Sequence, residues 1–350
     1  MGISMPTRAG AEGASPVLST VPLGLHWPTI DPFLFVAHHL DRYPPGNANL
    51  GIDPGALGDR SLGADFELKD GWRMYHGTEV PGFPKHPHRG FETLTLASQG
   101  HIDHSDSMGA AARFGPGDAQ WMTAGRGVVH SEMFPLVHSE QDNPTELIQI
   151  WLNLPAKHKM VAPYFTMLWA EQIPTVRFTD DAGRCTQVVA IVGTLDGTSP
   201  PTPPPHSWAA EAAHGVAVWR ISMEPGAVWS LPPVAEEHGR VLYFYAGEKL
   251  AVAGTEVEVR TGMQLQPTSA VSLRNGASVS ELLLLSGKPI DEPVARHGPF
   301  VMNTSAELHQ AFMDYQRTGF GEWPWDCDDP VHPADQGRFA RHADGRIDTP

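Results

Sequence analysis

Two short segments carry residues that could share one chemical task. "HPHRGFET" places His86 and His88 two positions apart, and "VVHSEMF" places His130 and Glu132 two positions apart. In an extended strand, residues i and i+2 project to the same face. Each segment would therefore present two ligands to one side of a sheet. Three imidazoles and a carboxylate suit a divalent transition metal: imidazole accommodates zinc, copper, iron and nickel, and a carboxylate moves the preference toward harder ions. Neither segment holds a thiolate to favour soft ions. Four ligands on an octahedral iron leave two positions open, which distinguishes a catalytic metal from a closed structural one.

The carboxylate has a competitor. Glu92 follows His88 by four residues and shares the even parity of the two histidines. It could be the ligand in place of Glu132, or an acceptor that orients an imidazole N–H. Gly90 can break the strand alternation, so parity leaves the choice open. His101, His104 and His138 lie nearby and are read as non-ligands.

These residues need rigid strands to hold them. From Phe83 to Leu154 the chain reads as β-structure: "FETLTLASQG" is rich in strand formers, and Ile148, Ile150, Leu152 and Leu154 recur at period two. A second β-rich block contains "TQVVAIVG", "VAVWRISM", "RVLYFYAG" and "SVSELLLLSG", while the proline-rich stretch 196–207 reads as a loop. Two blocks of similar size predict two small barrels. Residues 40–80 form a long Gly/Asp/Pro-rich excursion, and residues 1–25 a flexible lead-in. One helix is expected near the C-terminus, with Thr304 and Glu307 as a capping box, Leu308, Ala311, Phe312 and Tyr315 as its apolar stripe and Gly319 as its stop. Beyond about residue 322 a loosely ordered tail is expected.

Composition narrows the function classes. The 350 residues include 35 glycines and 33 prolines, about a fifth of the chain against an average of roughly 12%. Frequent turns between short strands fit that. The net charge of −16 repels a phosphate backbone and argues against direct nucleic-acid binding. Cys185 and Cys327 read as free thiols of a reducing compartment. With no apolar leader and no span-length apolar run, the expected setting is cytoplasmic, away from membranes.

The segments "HPHRGFETLTL", "GDAQWMTAGRGVVHSE" and "HGPFVMNT" (297–304) resemble the pirin family of the cupin superfamily, over a stretch from Asp31 to Phe320. The resemblance implies an all-β bicupin: two facing antiparallel β-barrels with a short C-terminal helix. The corresponding divisions are 26–170 for a metal-binding barrel interrupted by the 40–80 insertion, 171–300 for a metal-free barrel, and 301–350 for helix and tail. It implies one divalent metal held by His86, His88, His130 and Glu132, with Glu92 beside the metal rather than on it. The expected ion is Fe(II), with Mn, Ni, Co, Cu and Zn as alternatives. Some pirins resemble quercetin 2,3-dioxygenases, which open a flavonol ring with O2. On that reading the ligands are a small aromatic substrate and O2, Glu132 is the catalytic proton acceptor, and Phe83, Trp121, Met122 and Met133 supply apolar walls. Other pirins resemble redox-responsive regulators, which would make this chain a non-catalytic iron-binding protein acting through a protein partner.

Overall fold

Alternating apolar residues become strands throughout the computed structural model, which describes residues 15–350. Two compact units result. One comprises residues up to Ala37, Ile150–Asn153 and Glu171–Asp291; the other comprises His38–Gln149, Leu154–Ala170 and Glu292–Pro350.

The unit carrying the histidine motifs contains two sheets. In the first, the hydrogen-bonded order is Gly82–His88, Val128–Met133, Ile102–Asp106, Ala111–Phe114, Phe339–Arg341 and Ile347–Asp348. In the second, Tyr164–Leu168, Ala119–Thr123 and Phe91–Gln99 are successive neighbours, followed by the parts of two further strands that belong to this unit, residues 143–149 and 38–43. Ile102, Phe114, Phe134, Leu147 and Phe165 fill the space enclosed by this unit. The 40–80 excursion contributes to the same core through Ile52, Trp72, Met74 and Tyr75. Asp65 fixes its path by accepting from the Met74 N–H at 2.9 Å and from Arg60 at 2.8 Å.

The other unit has a seven-stranded sheet and a four-stranded one. Its core residues recur at period two within strands: Trp219, Ile221 and Met223, then Leu242 and Phe244, then Leu282 and Leu284. Each strand thus turns one face to a shared apolar interior.

Two expectations about the chain ends are corrected. Residues 1–14 of the expected lead-in lie outside the described residues, but Val17–Pro22 is a strand, paired antiparallel with Thr261–Leu265. Val17 packs on the apolar core of that unit, so the segment caps an otherwise open sheet edge. The expected loose tail is likewise held. Phe339–Arg341 pairs with Ala111–Phe114, and the cause is Arg113. Its guanidinium makes two 2.7 Å bonds to Asp103, and its remaining donors go to the carbonyls of His332, Pro333 and Gln336. Arg113 and Asp103 are both buried.

The C-terminal helix, Ser305–Thr318, has its capping box and ends at Gly319 in the left-handed conformation. Ala311 is its buried residue; Leu308, Phe312 and Tyr315 are half-buried, with Phe312 edge-on to Phe300 of the short hairpin 295–302. Among the described residues no helix is long and apolar enough to cross a membrane.

Replacing Arg113 with Met should leave Asp103 as a buried, uncompensated charge and release the tail. A loss of about 3–5 kcal/mol in urea unfolding is expected, with trypsin cleaving first at Arg338 or Arg341.

Candidate metal centre

Antiparallel register brings the two histidine motifs together. In the pairing of Gly82–His88 with Val128–Met133, His86 lies opposite His130, His88 opposite Val128 and Phe83 opposite Glu132. An irregularity between Phe83 and His86 shifts the register. Without it Phe83 and His86, three positions apart, would face opposite sides of the sheet. The ring centroids of His86, His88 and His130 lie 4.4–4.9 Å from one another. Each offers a ring nitrogen, and these three atoms lie within 4.8 Å of each other.

The ring orientations suit a cation. The His86 Nδ1–H donates to the Pro84 carbonyl at 2.8 Å, and the His88 Nδ1–H donates to the Pro299 carbonyl at 3.4 Å. Both bonds leave Nε2 as the lone-pair atom. Pro299 belongs to the distant "HGPFVMNT" segment, which docks here because the Val301 N–H donates to the Arg89 carbonyl at 3.0 Å. Gly90 is needed at this junction: its φ is +86°, and a Cβ would lie 1.9 Å from the Val301 oxygen. His130 is buried, and among the described residues neither of its ring nitrogens has a hydrogen-bond partner. Two unsatisfied polar atoms in one buried ring are costly unless a ligand fills the role. Burial keeps the three rings neutral. It lowers the pKa of His86 to about 4, although part of that residue remains at the surface, and holds His88 and His130 well below the usual imidazole range, with neighbouring histidines adding to the effect. Neutral imidazole is the metal-binding form.

Glu132 is adjacent but stands outside the three-histidine group. Its two carboxylate oxygens accept from Thr95 Oγ1 at 2.9 Å and Gln149 Nε2 at 3.1 Å. Burial raises its pKa, while His104 and these two donors pull it back down. Glu92 is placed differently. Thr95 and Glu92 are three apart in an unbroken ladder, so they project from opposite faces of their strand. Glu92 accepts from Thr123 at 2.6 Å on the face away from Glu132.

The same alternation sorts the expected walls. Met122 packs with Val128, which shares the face of His130 and Glu132. Phe83 stands 6.3 Å from His86, ring to ring. Trp121 and Met133 are next-door neighbours of Met122 and Glu132 in sequence, so their side chains leave by the opposite faces. Glu92, Trp121 and Met133 are thus set apart from the side that holds the histidines.

Sequence reasoning missed several neighbours. His104, read as a non-ligand, lies opposite Glu132 and its ring is 5.4 Å from that of His130. Its Nε2 meets Asp106 at 3.1 Å, and the ring stacks on Phe165 at 5.0 Å. Thr95 and Gln149 were hidden inside runs that read as ordinary strand. The excursion supplies Phe66 and His76, both exposed, whose rings lie 6.5 and 5.9 Å from Phe83. Phe66, His76, Phe83 and His86 thus form an aromatic file from solvent toward the histidines.

Comparisons with known proteins identify the family of the chain. The family model described as Pirin matches residues 26–152, and that of the Pirin C-terminal cupin domain matches residues 218–321. A Pirin-like protein of Caulobacter vibrioides is 38% identical over 240 residues, covering 68% of this chain and 80% of its own. A Pseudomonas aeruginosa protein whose name proposes quercetin 2,3-dioxygenase activity is 36% identical over 245 residues, covering 68% and 79%. The crystal structure of quercetin 2,3-dioxygenase from Acinetobacter baumannii superposes with a TM-score of 0.68 at 25% identity, covering 88% of this chain and 99% of that one.

Two outcomes follow. His130→Ala should reduce zinc or iron binding at least tenfold by equilibrium dialysis, because one of three nitrogens is lost. In the metal-free protein, His86 binds its proton more weakly when folded than its ordinary value of 6.5. Its contribution to stability is therefore full above about pH 6.5 and eroded as pH falls toward about 4. A melting temperature that declines across that window, with a shallower decline in His86→Gln, is expected by scanning fluorimetry.

Proposed function

The chain belongs to the pirin family, and from that premise we propose that it is a metal-dependent dioxygenase of the quercetin 2,3-dioxygenase type. The observation that carries the reading is the neutral histidine triad, with His88 and His130 buried and the His130 nitrogens unpartnered among the described residues, beside a held carboxylate. His86, His88 and His130 would hold the ion, with Glu132 as the carboxylate of the set. The donor set suits iron(II) and also accommodates manganese, cobalt, nickel, copper and zinc. When bound, the metal supplies a Lewis acid that lowers the pKa of a substrate hydroxyl and a redox centre for reaction with O2.

The remaining work falls to the chain. Glu132 accepts the hydroxyl proton. Its raised pKa makes it a stronger base than a surface glutamate, and a proton transfer of this kind contributes about 10²–10⁴ in rate. Thr95 and Gln149 fix the carboxylate so that little reorientation is needed. Phe83 and Phe66 offer ring faces and edges to a flat aromatic substrate entering along the file described above. Met122 closes the inner end, where it excludes water.

The test is anaerobic loading with Fe(II), followed by quercetin and O2 while the flavonol absorbance is recorded. Turnover is expected in the wild type and none in His88→Ala. Glu132→Gln should lower kcat about 100-fold, and Phe66→Ala should raise KM several-fold with kcat nearly unchanged. An iron-loaded wild type that leaves quercetin intact, or equal turnover in His88→Ala, defeats this reading. Metal binding without turnover would favour the regulatory alternative, in which the loaded protein acts through a protein partner.

A further inference from the structure

The barrel without the histidine motifs carries a partly open cavity of about 700 Å³, lined by residues of that unit alone. Its size and lining match those of small-molecule sites, which are mostly apolar with a few placed polar groups. Phe178, Trp219 and Trp229 are its aromatic lining, with Phe178 and Trp229 5.2 Å apart, ring to ring. The group of described residues able to hold a metal lies in the other unit, so a metal does not account for this space.

Two polar groups on the lining lack what they require. Arg240 is 1% exposed, yet no carboxylate comes within ion-pair distance of it among the described residues. Its guanidinium donates to backbone carbonyls instead: to Gln266 from Nε at 2.9 Å, to Pro232 from Nη1 at 2.6 Å, and from Nη2 to Gln266 and Ser269. These dipoles hold the side chain without cancelling its charge, and one Nη1–H is left over from the five a guanidinium carries. Burial lowers its pKa to about 10, as expected for a cation without a counter-ion. Charges this deep are normally paired. The second group is His238. Its ring rests on Gly215, where any Cβ would meet the imidazole at 2.1 Å, and its Nε2 is buried without a hydrogen-bond partner among the described residues. Asp196 and Glu211 also border the cavity, both exposed, with Glu211 3.4 Å from His214.

We propose that this barrel is a second, metal-independent binding site for a small aromatic monocarboxylate, with the carboxylate at Arg240 and His238 and the ring against Phe178, Trp219 and Trp229. One negative charge offsets the buried guanidinium. The acids at the border disfavour ligands with two or more charges, such as phosphates.

2-Naphthoate tests this on the full chain, stripped of metal with EDTA so that the histidine triad cannot contribute. Its uncharged isostere 2-naphthylmethanol is the control. Tryptophan fluorescence and calorimetry should report one saturable naphthoate site per chain, with the alcohol at least tenfold weaker. Arg240→Met should weaken naphthoate tenfold or more and remove the preference over the alcohol. Because that variant removes a buried loop anchor and risks unfolding, His238→Ala and the cavity-filling Ala209→Trp stand beside it. The first should weaken naphthoate several-fold, and the second should abolish binding with the melting temperature retained. Absence of saturable binding at millimolar naphthoate, equal affinity for the alcohol, or unchanged affinity in both His238→Ala and Ala209→Trp would overturn the proposal. None of these outcomes depends on flavonol turnover.

Discussion

The pairing of Gly82–His88 with Val128–Met133 is the constraint on which the candidate centre depends. It sets His86 against His130 and, through one local irregularity, leaves Phe83 on the same side as well. A shift of one residue would send every one of these side chains to the other face. Several independent contacts hold the register. Ile102–Asp106 pairs with the other edge of Val128–Met133, Gly82 packs against the backbone of Glu132 and Met133, and the Phe134 N–H donates to the Pro81 carbonyl at 2.8 Å. Strands give such a centre a precision that loops do not, since each side chain inherits its direction from a ladder of hydrogen bonds.

The outer layer of the unit is built from segments far away in sequence. The "HGPFVMNT" segment orients His88 through the Pro299 carbonyl. The tail is tied to the outer face of the sheet by Arg113, and the Asp328 carbonyl accepts from the Lys85 N–H at 2.7 Å, one residue before His86. The excursion contributes the exposed Phe66 and His76. The excursion and the tail, which show little regular pattern in sequence, therefore border the approach to the histidines. That fits the general division in which a rigid barrel supplies the chemistry and the surrounding loops decide what enters.

The other unit shows what a similar sheet architecture does without the histidine motifs. Trp219, Ile221, Leu242 and Phe244 occupy inward positions and form an apolar core. Among the polar residues on its cavity lining, Arg240 is the buried cation. Its charge is held by backbone carbonyls alone, and that imbalance makes the cavity chemically distinct from the rest of the apolar interior.

The sequence by itself determined much of this. Period-two apolar runs specified the strands, Thr304, Glu307 and Gly319 specified the helix and its ends, and the i, i+2 spacing of His86 with His88 brought two imidazoles to one face. Such features are local, and local geometry is set by residues within a few positions. Whether Glu92 or Glu132 stands with the histidines was not local. His88 and Glu92 share a parity, but they sit on strands of different sheets joined through Gly90 at φ +86°, and parity is not carried across such a corner. The structure puts Glu132 on the histidine side and Glu92 on the other. The order of the tail and of Val17–Pro22 was hidden for a similar reason. Neither segment carries the signal of a stable element alone; each is ordered by partners more than 200 positions away, Arg113 for one and Thr261–Leu265 for the other. Only the tertiary structure decides such contacts, because the free energy that orders a short strand lies in the sheet edge it covers rather than in its own residues.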